Sequence, residues 1–84
     1  MSHQEPATIL EAARQQATMS VVGLWIAYLA LGGTESLERV GHFLGGSAVP
    51  DAPQYDVLAQ ALNDSFTGLD LDHPVPYFDE LGSP

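Results

Sequence analysis

Ser20-Val21-Val22-Gly23-Leu24-Trp25-Ile26-Ala27-Tyr28-Leu29-Ala30-Leu31-Gly32-Gly33 is the stretch that decides the fold. No charge falls between Arg14 and Glu35. Drawn on a helical wheel, Val21, Leu24, Trp25, Tyr28 and Leu31 lie on one side, and Val22, Ile26 and Leu29 on another. A helix that is apolar all round must be covered by other protein or by lipid. The expectation is an all-α fold, a compact four-helix bundle packed around this second helix.

Lipid is the weaker choice of cover. The 20 uncharged residues from Gln15 to Thr34 are nominally long enough to span a bilayer. Two glutamines, two threonines, a serine and three glycines dilute them, however, and leave only about a dozen strongly apolar positions, the length of a buried core helix. No membrane partner is expected.

A chain of 84 residues makes one domain. Folding at this size buries only about 60–65% of the surface that the unfolded chain exposes, so a lone core is marginal. Small scaffolds are stapled by disulfides, metal or oligomerisation. With no cysteine in the chain, oligomerisation is the device left open, and a homodimer is expected. The N-terminus is acidic and no small-residue cleavage site follows an apolar run, which points to the cytoplasm.

Charge is the most unusual property of the chain. There are 11 acids against two arginines and no lysine, a net charge of −9. Residues 1–50 carry Glu5, Glu11, Glu35 and Glu38 against Arg14 and Arg39, whereas the seven acids of residues 51–84 have no base beside them. Such a field repels phosphate backbones, attracts basic surfaces and favours solubility.

In chain order, residues 1–5 are expected to be disordered and residues 6–68 to form the helical domain. A first helix is expected from Pro6 to Ala17, proline being tolerated in a first turn. Thr18, Met19 and Ser20 make a turn, with Thr18 or Ser20 capping the second helix. Gly23 would let another helix cross closely, and Gly32 supplies the left-handed C-terminal position. Thr34 is expected to start a third helix that Gly45 and Gly46 stop. Asp51 and Gln54 have capping spacing for a fourth helix, Ala52 to Phe66, carrying the stripe Tyr55, Leu58, Leu62 and Phe66. Residues 69–84 form an acidic, proline-containing segment. Its apolar Val75, Tyr77 and Phe78 suggest that it lies extended on the bundle or on a partner.

Chemistry is sparse. Without cysteine or lysine, and with no glycine-flanked serine, no catalytic constellation is visible and no enzyme activity is expected. No glycine-rich phosphate loop opens a helix, and no cofactor is expected. Asn63 to Pro74 echoes a calcium loop, with Gly68 at its sixth position, but the twelfth is proline and the carboxylates are missing, so no metal is expected either. His3, His42 and His73 read as surface or structural residues. Ala13 to Leu24 has the outline of a helix-turn-helix, yet its second helix offers no side chain that reads base edges.

The segments Leu24–Gly33, Asp56–Asn63 and His73–Tyr77 resemble a group of small acidic proteins from actinobacteria. That resemblance implies a bacterial, cytosolic, regulator-sized protein and brings no activity with it. The reading that results is a non-enzymatic interaction protein that covers a basic or apolar surface of a partner, such as a transcription regulator. The alternative is a DNA-binding accessory with a degenerate helix-turn-helix. Candidate partner-binding residues are Trp25, Tyr28, Tyr55, Phe66, Asp70, Asp72, Tyr77 and Phe78. Direct contact with nucleic acid is not expected.

Overall fold

A computed structural model describes residues 5–68 and 75–77. Within them the chain forms four helices, α1 (Pro6–Gln16), α2 (Val21–Ala30), α3 (Leu37–Gly45) and α4 (Ala52–Gly68), and no strand. The all-α, four-helix architecture expected from periodicity is what is found.

Local chemistry accounts for most of the boundaries. Pro6 occupies the first turn of α1. The Ser20 hydroxyl accepts from the Gly23 amide at 2.9 Å and caps α2, and the Asp51 carboxylate accepts from the Gln54 amide at 3.3 Å at the start of α4. Gly32 (φ 103°) and Gly46 (φ 86°) take the left-handed conformation just beyond α2 and α3, where a Cβ would be strained. Thr18, at φ 59°, does the same between α1 and α2. There the Arg14 guanidinium donates to the Met19 carbonyl at 2.7 Å and secures the turn.

The third helix starts later than Thr34, and the cause is not local. The amides of Thr34 and Glu35 donate to the Tyr28 hydroxyl at 3.1 and 2.8 Å. These bonds tie Thr34 and Glu35 to the end of α2, and Ser36 is the cap, accepting from the Arg39 amide at 3.1 Å.

Packing corrects the expected arrangement around the second helix. Helix α1 packs on α3 and α4, and α2 packs on the same two. The principal core surface belongs to α4, which buries Tyr55, Leu58, Ala59, Ala61, Leu62 and Phe66. Leu10 and Ala13 of α1, Leu24 and Tyr28 of α2, and Val40, Phe43 and Leu44 of α3 complete the interior. Only Leu24 and Tyr28 are buried among the 10 residues of α2. Its neighbours cover one side, and the Val22–Ile26–Leu29 side stays in solvent. Nor does another helix cross at Gly23, because a Cβ there would meet only the capping hydroxyl of Ser20, at 3.1 Å.

The described part of the C-terminal segment lies against α4. Val75 is buried, its amide donates to the Asn63 side-chain oxygen at 2.5 Å, and its carbonyl accepts from the Asn63 Nδ2 at 3.2 Å. The Tyr55 hydroxyl donates to the Pro76 carbonyl at 2.8 Å, and the Tyr77 hydroxyl to the Gln60 side-chain oxygen at 2.7 Å. The side chain of Asn63 thus pairs with both polar groups of one extended residue, as a neighbouring strand would. It serves as a clasp for the chain's own backbone.

Candidate functional site

The exposed side of α2 is built from residues at helical spacing. Val22, Ile26 and Leu29, at i, i+4 and i+7, are 47%, 56% and 39% exposed. Ala30 is exposed beside them. No charged residue lies anywhere on α2. Leu31, at the C-terminal cap, and Val49, in the loop before α4, are further large apolar side chains in solvent.

Single exposed apolar residues are ordinary, whereas these three share one face of a helix and form a contiguous stripe. Burying a Val, Leu or Ile fully is worth about 1.5–3 kcal/mol, so three residues near half exposure leave roughly 2–4 kcal/mol unused per copy. Association costs about 4–15 kcal/mol in lost freedom. The stripe therefore suits a modest, concentration-dependent contact and is too small to be an obligate interface by itself.

Trp25 forms one flank of the stripe. It is half-buried, and its indole N–H donates to the Glu35 carbonyl at 3.0 Å, which fixes the ring against the α2–α3 connection. Close by in sequence, the Arg39 Nε lies 3.6 Å from a Glu35 carboxylate oxygen, and its guanidinium sits 5.1 Å from the Phe43 ring centroid.

The other candidate residues divide into three groups. Tyr28, Tyr55 and Phe66 are interior residues, at most 2% exposed, and so do not present a surface to a partner in this structure. Tyr28 is the most constrained of them. Its hydroxyl donates to the Gln54 side-chain oxygen and accepts from two loop amides, joining α2, α4 and the α2–α3 connection. Tyr77 is half-buried on α4. Asp70, Asp72 and Phe78 lie outside the described residues. Val22, Ile26 and Leu29 were absent from the candidate set, although the helical wheel had already placed them on a side of their own.

A second surface feature is an open groove of about 540 Å³ between α1 and the end of α3, lined by Glu5, Thr8, Glu11, Gln15, Gly45 and Gly46 among others. Of its two acids, Glu11 is already engaged. Arg14 donates to both carboxylate oxygens of Glu11, through Nε at 2.9 Å and through Nη2, and the Gln15 amide donates to one of them at 2.8 Å. The Arg14 hydrogen bond, aided by Gln15 and by coulombic attraction, outweighs burial and holds the Glu11 carboxyl below the ordinary glutamate range. Because the folded value is depressed, Glu11 contributes stability above the ordinary glutamate pKa, and that contribution is lost as pH falls through the folded value. In a carboxyl NMR titration, Glu11 should have a low midpoint that moves up in Arg14→Met. A midpoint unmoved by that substitution would contradict the pairing.

Among the described residues, no three His, Asp or Glu side chains gather as a metal site would require. Nor is any helix among them long and apolar enough to cross a membrane. The fold and its surface define a class: a small, acidic, all-α protein with, among the described residues, an uncharged apolar helix face in solvent. No known protein family, curated relative or solved structure matches the chain.

Proposed function

We propose that the chain is a non-enzymatic interaction protein of the cytoplasm, docking on protein through the α2 stripe. The observation that supports this is the stripe itself, Val22, Ile26 and Leu29 left in solvent on a helix without charge. The acids, concentrated after residue 50, act at longer range. They favour encounter with basic surfaces, such as those of transcription regulators, and disfavour nucleic acid. Nothing on α2 favours the DNA-binding alternative, since its outward residues carry no donor for a base edge.

The test is a photo-crosslinking residue placed at position 26 in the native cell, with position 64 as a control. Asp64 is exposed on α4, the helix against which α2 packs its buried side. Covalent protein adducts from position 26 in excess of those from position 64 are expected. No adduct from position 26 would overturn the reading.

A further inference from the structure

Charge narrows what can cover the α2 stripe. With a net charge of −9 and only two cations, a copy of this chain is repelled by another wherever their carboxylates meet. One long segment adds nothing to that repulsion. Gln15–Thr34 holds no charge, and the whole of α2 lies inside it. A basic surface drawn in by the acids elsewhere finds no carboxylate to pair with on this segment itself. An uncharged apolar stripe is matched by another uncharged apolar stripe, and the chain itself provides one.

We propose that the stripe is covered by a second copy of this chain, α2 against α2 across a two-fold axis. The proposal rests on the reading of the stripe as a docking face. In an isologous contact the same patch serves both subunits. With the two helices antiparallel, Ile26 of one copy meets Ile26 of the other at the axis, and each Val22 lies opposite a Leu29. The exposed Ala30 beside Ile26 leaves room for close approach of the helices.

The area sets the strength. A standard interface buries about 800 Å² on each partner, and three half-exposed side chains supply a fraction of that. The dimer is therefore in equilibrium with single copies. Its salt dependence is the reverse of a charge-driven complex. Repulsion between two acidic copies reaches about 10 Å at 0.1 M salt and about 3 Å at 1 M, so the pair tightens as salt rises.

Sedimentation equilibrium of the full chain tests this, run from about 1 µM to about 1 mM protein and at about 0.05 and 1 M sodium chloride. The weight-average mass should climb from 9.0 kDa towards twice that value. The dissociation constant should fall by about fivefold or more at the higher salt, as screening removes the repulsion. Ile26→Glu should remain a single copy at every concentration, with an unchanged circular dichroism spectrum, and Ile26→Leu should still pair. If Ile26→Glu alters the spectrum, Leu29→Gln replaces it and should also abolish pairing. A mass fixed at 9.0 kDa up to the highest concentration would overturn the proposal. So would a dimer indifferent to both substitutions, or one that loosens with salt. A single-copy result together with crosslinks from position 26 to a different protein would reject self-pairing and leave the docking face standing. Absence of both would reject the two together.

Discussion

Replacing Gly33 with alanine is expected to destabilise the fold by about 3 kcal/mol or more, at the upper end of what overpacking costs. The added Cβ would overlap Cζ, Cε1 and Cε2 of Tyr28. That ring has nowhere to go. It is fully buried, and its hydroxyl is held by Gln54 and by the amides of Thr34 and Glu35. The backbone is pinned as well, since the Gly33 amide donates to the Tyr28 carbonyl at 3.0 Å. Denaturant unfolding measures the effect, and a cost below about 1 kcal/mol would show that the contact yields. Gly32 supplies the control. It is left-handed at φ 103° with nothing within 4 Å of its Cβ position, so alanine there should cost only about 1–2 kcal/mol of backbone strain. In Tyr28→Leu the ring is gone, and adding Gly33→Ala should cost less than it does in the parent, a non-additivity that isolates the contact.

The same pair of residues shows what the sequence could and could not disclose. Helices, caps and stops were legible wherever they depend on near neighbours, as with Ser20 and Gly23, Asp51 and Gln54, or Gly32 after Leu31. The start of α3 was not, because it depends on a hydroxyl from the preceding helix taking up the amides of Thr34 and Glu35. No local pattern around Thr34 carries that information. The clasp of Asn63 on Val75, 12 residues apart, is hidden for the same reason: one amide side chain meets one backbone and leaves no periodic trace.

The exposed stripe was half legible. The wheel separated Leu24 and Tyr28 from Val22, Ile26 and Leu29, and the structure keeps that separation. Which of the two sides the chain's own helices cover is not written in the apolar pattern, because both sides of the wheel are equally greasy. Helix α1 packs on α3 and α4, leaving α2 two principal neighbours on one side. Among the aromatic candidates, residue type did not distinguish a core position from a surface one. Tyr28 and Tyr55 carry a polar handle suited to either, and here each spends it on an interior hydrogen bond.

The second large effect falls on the covered side of α2. Leu24→Ala is expected to cost about 2–5 kcal/mol, the transfer free energy of the lost methyl groups plus the cavity they leave. Leu24 is 0% exposed and shares the inward face with Tyr28, one turn along the helix. Collapse around the missing side chain is restrained, because the Tyr28 ring is fixed at its hydroxyl and cannot move into the void. Denaturant unfolding at a dilution where single copies prevail reads the cost, and a loss under about 1 kcal/mol would show that the core does not close on α2 as described.

Ile26 stands two residues further along and 56% exposed. The most direct measurement is the unfolding free energy of Ile26→Gln at about 1 µM protein, glutamine being as good a helix former as isoleucine or better. The expected value lies within about 0.5 kcal/mol of the parent, since a side chain facing solvent gives the single copy little to lose. A loss of about 2 kcal/mol or more, the scale of a buried apolar side chain, would contradict the exposed stripe and every conclusion drawn from it.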